Sequence, residues 1–276
     1  MRTRLAPTPS GNLHLGNLFN FMLTWIRARH LDVQILLRID DADSQRKRTE
    51  FLEDIFKTLD WLGIDWDLGP TGMDDFEKNW SQRHRKSNYD LLLDELLQSN
   101  QVFSCSCSRS TIDAIKSCTC KENPSPNNVP VAIKINTPIE PFYFIDEKIG
   151  PVECLLTPFV IRQKNGEASY QVSSLADDRF FQITHLFRGE DLIDSTARQL
   201  YLDTLLGGAE FQQIHFHHHK LVTGNNGKKL SKSAGAQRQS IRNQYTRAEI
   251  LLAFGDWMHF SGTKPLELKD WLELQM

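Results

Sequence analysis

The sequence predicts an α/β fold that opens as a doubly wound parallel sheet. Three observations carry this. Over the first ~65 residues, strand-like and helix-like segments alternate as strand, loop, helix, strand, loop, helix. The second strand is a nearly continuous apolar run, the pattern of a parallel strand covered on both faces. The residues able to do chemistry fall in the loops after the strands, where ligands bind in such sheets.

The first strand is read over residues 2–6. It runs into "APTPSGNLHLGN", where two prolines and two glycines flank a histidine. A helix over 15–30 follows. Leu18, Met22, Trp25 and Arg29 share one line, and Phe19, Leu23 and Ile26 the adjacent line, so more than one side is buried. "VQILLRI", 33–39, is the second strand, broken only by Gln34 and Arg38, with Asp40, Asp41 and Asp43 at its end. Residues 47–62 read as an amphipathic helix stopping at Gly63. Ser, Cys, Asn and Pro accumulate over 104–130, and "KENPSPNNVP" is a plain loop, so 98–157 is read as an insertion. Strand-like text returns at "PFVIRQ" and "FFQITHLFR". A helix over 191–206 follows, then "QIHFHHHKLV" and the lysine-rich "GNNGKKLSKSAGA". "TRAEILLAFGDWMHF" and "LELKDWLELQ" make the end of the chain a short helical segment. No internal repeat is present.

With 276 residues, 24% charged and 40% hydrophobic, the chain suits one or two compact domains rather than a disordered or fibrous protein. No apolar run reaches ~18 residues, so no membrane contact is expected. The N-terminus lacks the apolar core of a signal peptide, which points to a cytoplasmic protein. A net charge of -3 excludes a uniformly basic surface. It leaves local patches at Arg27/Arg29/His30, Arg46/Lys47/Arg48 and Arg83/His84/Arg85/Lys86, which read either as solvated helix faces or as nucleic-acid contacts.

A Gly-rich turn feeding a helix N-terminus favours anions, because the free N–H groups and the helix dipole both attract them. Gly11 and Gly16 have Walker A spacing, but Asn17 and Leu18 stand where Lys and Ser/Thr are required. The residues leave two readings: a nucleotide loop in which His14 donates to a phosphate, or a structural histidine at a helix start. "GKKLSKS", 227–233, reads either as a cationic loop that closes over a triphosphate or as a solvated basic loop.

Together, "HLGN" after "APTPSG" and the later "KLSKS" resemble the HIGH and KMSKS signatures of class I aminoacyl-tRNA synthetases. "RLAPTPSGNLHLGN", "LLRIDDAD", "ITHLFRGEDLIDSTARQLYL" and "GKKLSKS" narrow the resemblance to the glutamyl/glutaminyl branch, over residues 1–97 and 158–235. The resemblance implies a class I Rossmann-like parallel sheet over 1–97 and 158–232, split by the insertion at 98–157. A helical C-terminal segment, 233–276, would follow, with no anticodon-binding domain. It implies a ligase that activates an amino acid with ATP and Mg²⁺. His14, Lys229 and Lys232 would be catalytic, and Thr8, His14, Gly16, Asn17 and Lys232 would bind ATP. Arg4 and Arg188 would hold glutamate carboxylates, Asp40 its α-ammonium, and Thr8 and Tyr170 would contact glutamate as well. The sequence departs from the glutamyl pattern at two places. Asp40 stands where Glu is usual, and Thr8 where Ser is usual; the glutaminyl pattern has Asp at the former, which leaves Glu versus Gln open.

The cysteines are five, four of them as C-x-C-x10-C-x-C at Cys105, Cys107, Cys118 and Cys120. Four thiolates can close a tetrahedral structural Zn²⁺ site; four unligated thiols are the alternative. Cys154 is expected in the core. "HFHHH", 215–219, offers alternate histidines to one strand face without accompanying carboxylates, so a place near the nucleotide for His217 or His219 fits better than a metal. A cysteine insertion on a short glutamyl-type core resembles the glutamyl-Q tRNA(Asp) synthetase family. Its usual zinc ligands are a CxC pair, a Tyr and a Cys, so the second CxC here is a variant. This resemblance implies a monomer that esterifies glutamate to queuosine in the anticodon arm of tRNA(Asp). Two other readings stay open: a truncated paralogue that passes the amino acid to a tRNA 3′ end, carrier protein or small molecule, and a non-catalytic zinc-containing tRNA-binding paralogue.

Overall fold

The computed structural model describes residues 1–276 apart from 44–46, 108–117, 119, 124–128, 223–238, 264 and 275–276. In chain order the elements are β1 (Arg2–Leu5), α1 (Leu15–His30), β2 (Gln34–Leu37), α2 (Thr49–Leu62), α3 (Met73–Asp75), α4 (Lys86–Gln98), β3 (Val102–Cys105), β4 (Ala132–Ile135), β5 (Phe142–Asp146), β6 (Gly150–Cys154), β7 (Phe159–Arg162), α5 (Tyr170–Phe180), β8 (His185–Gly189), α6 (Ile193–Leu205), β9 (His215–His219) and α7 (Arg247–Trp257). They gather into two units: residues 1–84, 183–191 and 215–276, and residues 85–182 and 192–214.

In the first unit β1 and β2 pair in parallel, Arg2 opposite Gln34 through Leu5 opposite Leu37. β8 and β9 form a second parallel pair. The Thr184 N–H donates to the Arg2 carbonyl at 2.8 Å, and the Arg2 N–H donates to Thr184 Oγ1 at 2.8 Å. These bonds tie Thr184, just before β8, to Arg2 of β1. The parallel pairing expected from strand–helix alternation is present in both pairs.

α1 begins and ends where its hydrophobic lines predict. Leu18, Phe19, Met22, Leu23 and Ile26 are all buried. α2 buries Leu52, Ile55, Leu59 and Leu62 along one stripe. It stops at Gly63, whose φ of 75° lies in the left-handed region that glycine enters without strain. The C-terminal segment packs on this same core. Phe254 meets Phe19 edge-on at 5.6 Å between ring centroids, and Trp271 meets Phe254 at 5.1 Å. Arg242 donates from Nη2 to the buried Asp54 of α2 at 2.9 Å.

Two stretches differ from the sequence reading. "FFQI" is not strand: Phe180 ends α5, and Gln182 turns the chain with φ 53° before β8 starts at His185. "LELKDWLELQ" forms a 3₁₀ turn over Leu268–Glu273 rather than an α-helix. In a 3₁₀ helix residues i and i+3 eclipse, which puts the buried Leu268 and Trp271 on one side of a six-residue piece.

The second unit holds an antiparallel sheet in the order β3-β4-β7, the β5–β6 hairpin, and α4, α5 and α6. Its buried polar centre is Asp177 on α5. It takes bonds from Arg85 Nε at 2.7 Å, Arg85 Nη2 at 3.2 Å and Tyr89 Oη at 2.9 Å. Cys105 closes β3 and is buried, while Cys154 at the end of β6 is half-buried rather than in the core. Among the described residues no helix is long and apolar enough to cross a membrane.

Candidate active site

The loops after β1 and β2 are laced together through carbonyls of the two prolines. The Asp40 N–H donates to Pro7 O at 2.9 Å, and the Arg48 N–H to Pro9 O at 3.1 Å. Proline brings no N–H of its own, so each contributes only an acceptor here. The lacing sets the His14 loop and the Asp40 loop side by side at the carboxyl ends of adjacent parallel strands.

His14 is the N-cap of α1. Its Nδ1 accepts the Asn17 N–H at 3.2 Å, and its own N–H donates to Asn17 Oδ1 at 3.1 Å. This is a capping box made by His and Asn instead of the usual Ser/Thr and Glu/Gln. The ring lies over Gly16: a Cβ built there would sit 3.0 Å from both Cε1 and Nδ1 of His14. Thr8 is exposed, and its carbonyl accepts the Ser10 N–H at 2.9 Å.

Asp40 is gripped by Arg38. Nε donates to Oδ1 at 2.7 Å and Nη2 to Oδ2 at 2.9 Å, a bidentate pair whose arginine side chain is 1% exposed. A carboxylate can accept about four hydrogen bonds, and Arg38 takes one position on each oxygen. The neighbouring Asp41 is buried and pins the loop. It accepts from Ser81 Oγ at 2.7 Å, from the Gln82 N–H at 2.8 Å and from Lys47 Nζ at 3.1 Å. Gln82 returns the contact by accepting the Ala42 N–H at 2.7 Å. Arg38, Ser81 and Gln82 carry this acidic loop, and sequence reasoning gave them no role. A signal was present for Arg38, because an arginine inside an apolar strand needs a carboxylate partner.

Arg4 near the end of β1 and Arg188 near the end of β8 are both buried, Arg188 among the largest fully buried side chains. Thus Arg4, Thr8, His14, Gly16, Asn17, Asp40 and Arg188 all belong to the first unit. Tyr170 belongs to the second, as the exposed first residue of α5. Lys229 and Lys232 lie outside the described residues.

The histidine run forms β9, with His217, His218 and His219 buried. His219 Nδ1 donates to the Lys220 carbonyl at 2.9 Å, and Nε2 lies 2.9 Å from the Asn20 side-chain amide of α1. Burial depresses the His219 pKa, against the opposing pull of the Lys220 carbonyl and of Asp191 and Glu190. His185 and His215 stack at 4.6 Å. The basic patches are largely answered by carboxylates: Arg29 by Asp65 and Asp67, Lys47 by Asp41 and Glu77, Arg85 by Asp177.

In the second unit the four cysteine sulfurs converge, their Sγ atoms all within 4.8 Å of one another. Cys105 and Cys118 are 3.4 Å apart, Cys107 and Cys120 3.4 Å, and Cys107 and Cys118 3.9 Å. Sulfurs at tetrahedral corners around a Zn²⁺ with bonds of about 2.3 Å are about 3.8 Å apart, so the cluster fits such an ion. Hydrogen bonding to Cys120 and partial burial push the Cys107 thiol up to about 12. Burial also acts to raise Cys120, but hydrogen bonds from Cys107, the Ser106 backbone and the other two thiols bring it down to about 6. Among the described residues this is the one group of His, Cys, Asp or Glu side chains with metal-binding geometry.

A family model described as "tRNA synthetases class I (E and Q), catalytic domain" matches residues 1–130 and 121–256. Among the solved structures with a similar fold are three synthetases. A glutamate-tRNA synthetase from Elizabethkingia anophelis is 24% identical with a TM-score of 0.71, over 84% of this chain and 52% of that one. A glutamate tRNA ligase from Elizabethkingia meningosepticum, in complex with its amino acid, is 20% identical with a TM-score of 0.78, over 100% of this chain and 64% of that one. A Mycobacterium tuberculosis methionyl-tRNA synthetase in complex with methionyl-adenylate is 15% identical with a TM-score of 0.52, over 91% of this chain and 64% of that one. The chain spans between half and two-thirds of the length of the two glutamate enzymes.

Proposed function

Since the chain belongs to the class I tRNA synthetase (E and Q) catalytic-domain family, we propose that it activates glutamate with ATP and esterifies it to queuosine in the anticodon loop of tRNA(Asp). The supporting observation for activation is the pair of laced loops: His14 stands on one and Asp40 on the other, at the carboxyl ends of β1 and β2. In the first step an oxygen of the glutamate α-carboxylate attacks the α-phosphorus of ATP. The bond to the bridging oxygen breaks, and pyrophosphate leaves. In the second step a ring hydroxyl of queuosine attacks the acyl carbon, and AMP leaves.

Arg4 and Arg188 hold the carboxylates of glutamate, since guanidinium forks match carboxylate geometry. Asp40, oriented by Arg38, takes the α-ammonium. Thr8, His14, Gly16 and Asn17 receive the phosphates. Lys229 and Lys232 neutralise charge on the departing pyrophosphate. Mg²⁺ accompanies ATP and screens its phosphates. Cys105, Cys107, Cys118 and Cys120 hold a structural Zn²⁺ that orders the insertion; four thiolates leave no open position for catalysis. The queuosine acceptor is supported by the cysteine insertion and its likeness to the short glutamyl-type family. An unpaired loop base of an RNA is open to stacking and edge contacts in a way that a paired base is not.

The test supplies the protein with ATP, labelled glutamate and two pools of tRNA(Asp), with and without queuosine. Label is expected on the queuosine-containing pool alone. Label on both pools, or at a 3′ end, would assign the acceptor of an ordinary synthetase. Label on neither pool, with adenylate still forming, would assign a carrier protein or small molecule.

A further inference from the structure

Lys134 sits in β4, the central strand of the β3-β4-β7 sheet, and is 8% exposed. Its strand neighbours Ile133 and Ile135 are buried as well. Lysine is rarely buried without a partner, because taking the ammonium out of water is costly. Among the described residues Lys134 has no carboxylate partner and no side-chain hydrogen bond. The strand register gives its direction. Phe103 pairs with Lys134, and Cys105 pairs with Ala132. Directly opposed residues share a face of the sheet, and so do residues two apart on one strand. Lys134 is therefore the diagonal neighbour of Cys105, about 7–8 Å away and within reach of a long side chain. Burial and the Cys118 hydrogen bond raise the Cys105 thiol, while the Cys107 backbone and the Lys134 charge draw it back. The exposed Lys164 brings a second ammonium, donating from Nζ to the Ser106 carbonyl between Cys105 and Cys107 at 2.5 Å.

We propose that Lys134 is the buried counter-ion of a zinc–tetrathiolate site at Cys105, Cys107, Cys118 and Cys120. This rests on the reading of those four cysteines as zinc ligands. Zn²⁺ brings two positive charges and four thiolates bring four negative ones, which leaves two negative charges beside β4. The Lys134 ammonium meets that charge from a buried position, where water screens little of the attraction. Lys164 meets it from an exposed position and contributes less. Groups of this kind tune metal affinity without touching the metal. In the metal-free chain the same lysine is a liability, because a buried ammonium then lacks its compensating charge.

The experiment measures zinc affinity of the full chain by competition with a chelator, together with melting curves of the zinc-loaded and the chelator-stripped protein. Lys134→Met keeps most of the side chain's length and removes its charge. It is expected to weaken zinc binding about 10–100-fold. Lys148→Met makes the same charge change on the exposed turn between β5 and β6, and should bind zinc within about twofold of wild type. With zinc bound, Lys134→Met should melt below wild type; after stripping, it should match or exceed it. A lysine that served packing alone would lower both melting temperatures. Zinc affinity within about twofold of wild type in Lys134→Met would overturn the inference and leave the zinc site standing. So would a stripped Lys134→Met protein less stable than stripped wild type. A wild-type chain that binds no zinc would remove the site itself, and the counter-ion with it.

Discussion

Replacing Asp40 by Asn separates what this carboxylate does for the fold from what it does for the substrate. Arg38 is 1% exposed and meets Asp40 through two bonds of 2.7 and 2.9 Å. Asn keeps the volume and removes the negative charge that the buried Arg38 guanidinium meets through those two bonds. Breaking a buried pair this way costs about 3–5 kcal/mol. Loss of the ammonium contact removes a hydrogen bond between charged groups, about 1.5–3 kcal/mol, which is about 10–150-fold in kcat/KM for glutamate. Arg38→Gln combined with Asp40→Asn makes a neutral pair of similar volume, so it should recover more than half of the lost stability while activity stays low. Urea denaturation reads the first effect, and pyrophosphate exchange over a glutamate titration reads the second. Asp40→Asn with wild-type stability would refute the clamp. Asp40→Asn with kcat/KM within about twofold of wild type would refute the ammonium contact.

The cysteine cluster predicts about one equivalent of zinc per chain, lost in Cys105→Ser/Cys120→Ser and accompanied by a lower melting temperature on chelation; metal analysis and melting curves check this. Trp271 is fully buried against Phe254 and Phe260, so Trp271→Ala should cost about 3–5 kcal/mol in equilibrium unfolding. His219 has its pKa depressed mainly by burial, so the unfolded chain binds its proton more readily than the folded one. Its contribution to stability is therefore present above the ordinary histidine pKa of about 6.5 and is lost as pH falls below it. Denaturation at a series of pH values should show that decline, and His219→Asn should flatten it.

The parallel half of the fold was legible because its signals are local. α1 shows in two adjacent hydrophobic lines, and α2 ends at a glycine that only the left-handed region explains. The four thiols were legible from spacing, and the structure brings all four together. Contacts between distant segments left no such trace. Nothing in "IRNQYTRAEILLAFGDWMHF" says that Phe254 packs on Phe19, or that Arg242 reaches back to Asp54. The turn at Gln182 escaped because two phenylalanines before it read as strand, whereas Phe180 closes α5. The box at His14 escaped for a chemical reason. Imidazole and a short amide are not the usual partners of that motif, although each has the atom it needs.

Activation of glutamate is the claim on which the acceptor and the role of each loop depend. It is tested most directly by pyrophosphate exchange into ATP with the purified wild-type chain, comparing glutamate, glutamine and no amino acid. The account predicts exchange that requires glutamate and falls about 10²–10³-fold in His14→Ala. Exchange that needs no amino acid, that prefers glutamine, or that is absent from a protein with its fold intact would contradict it.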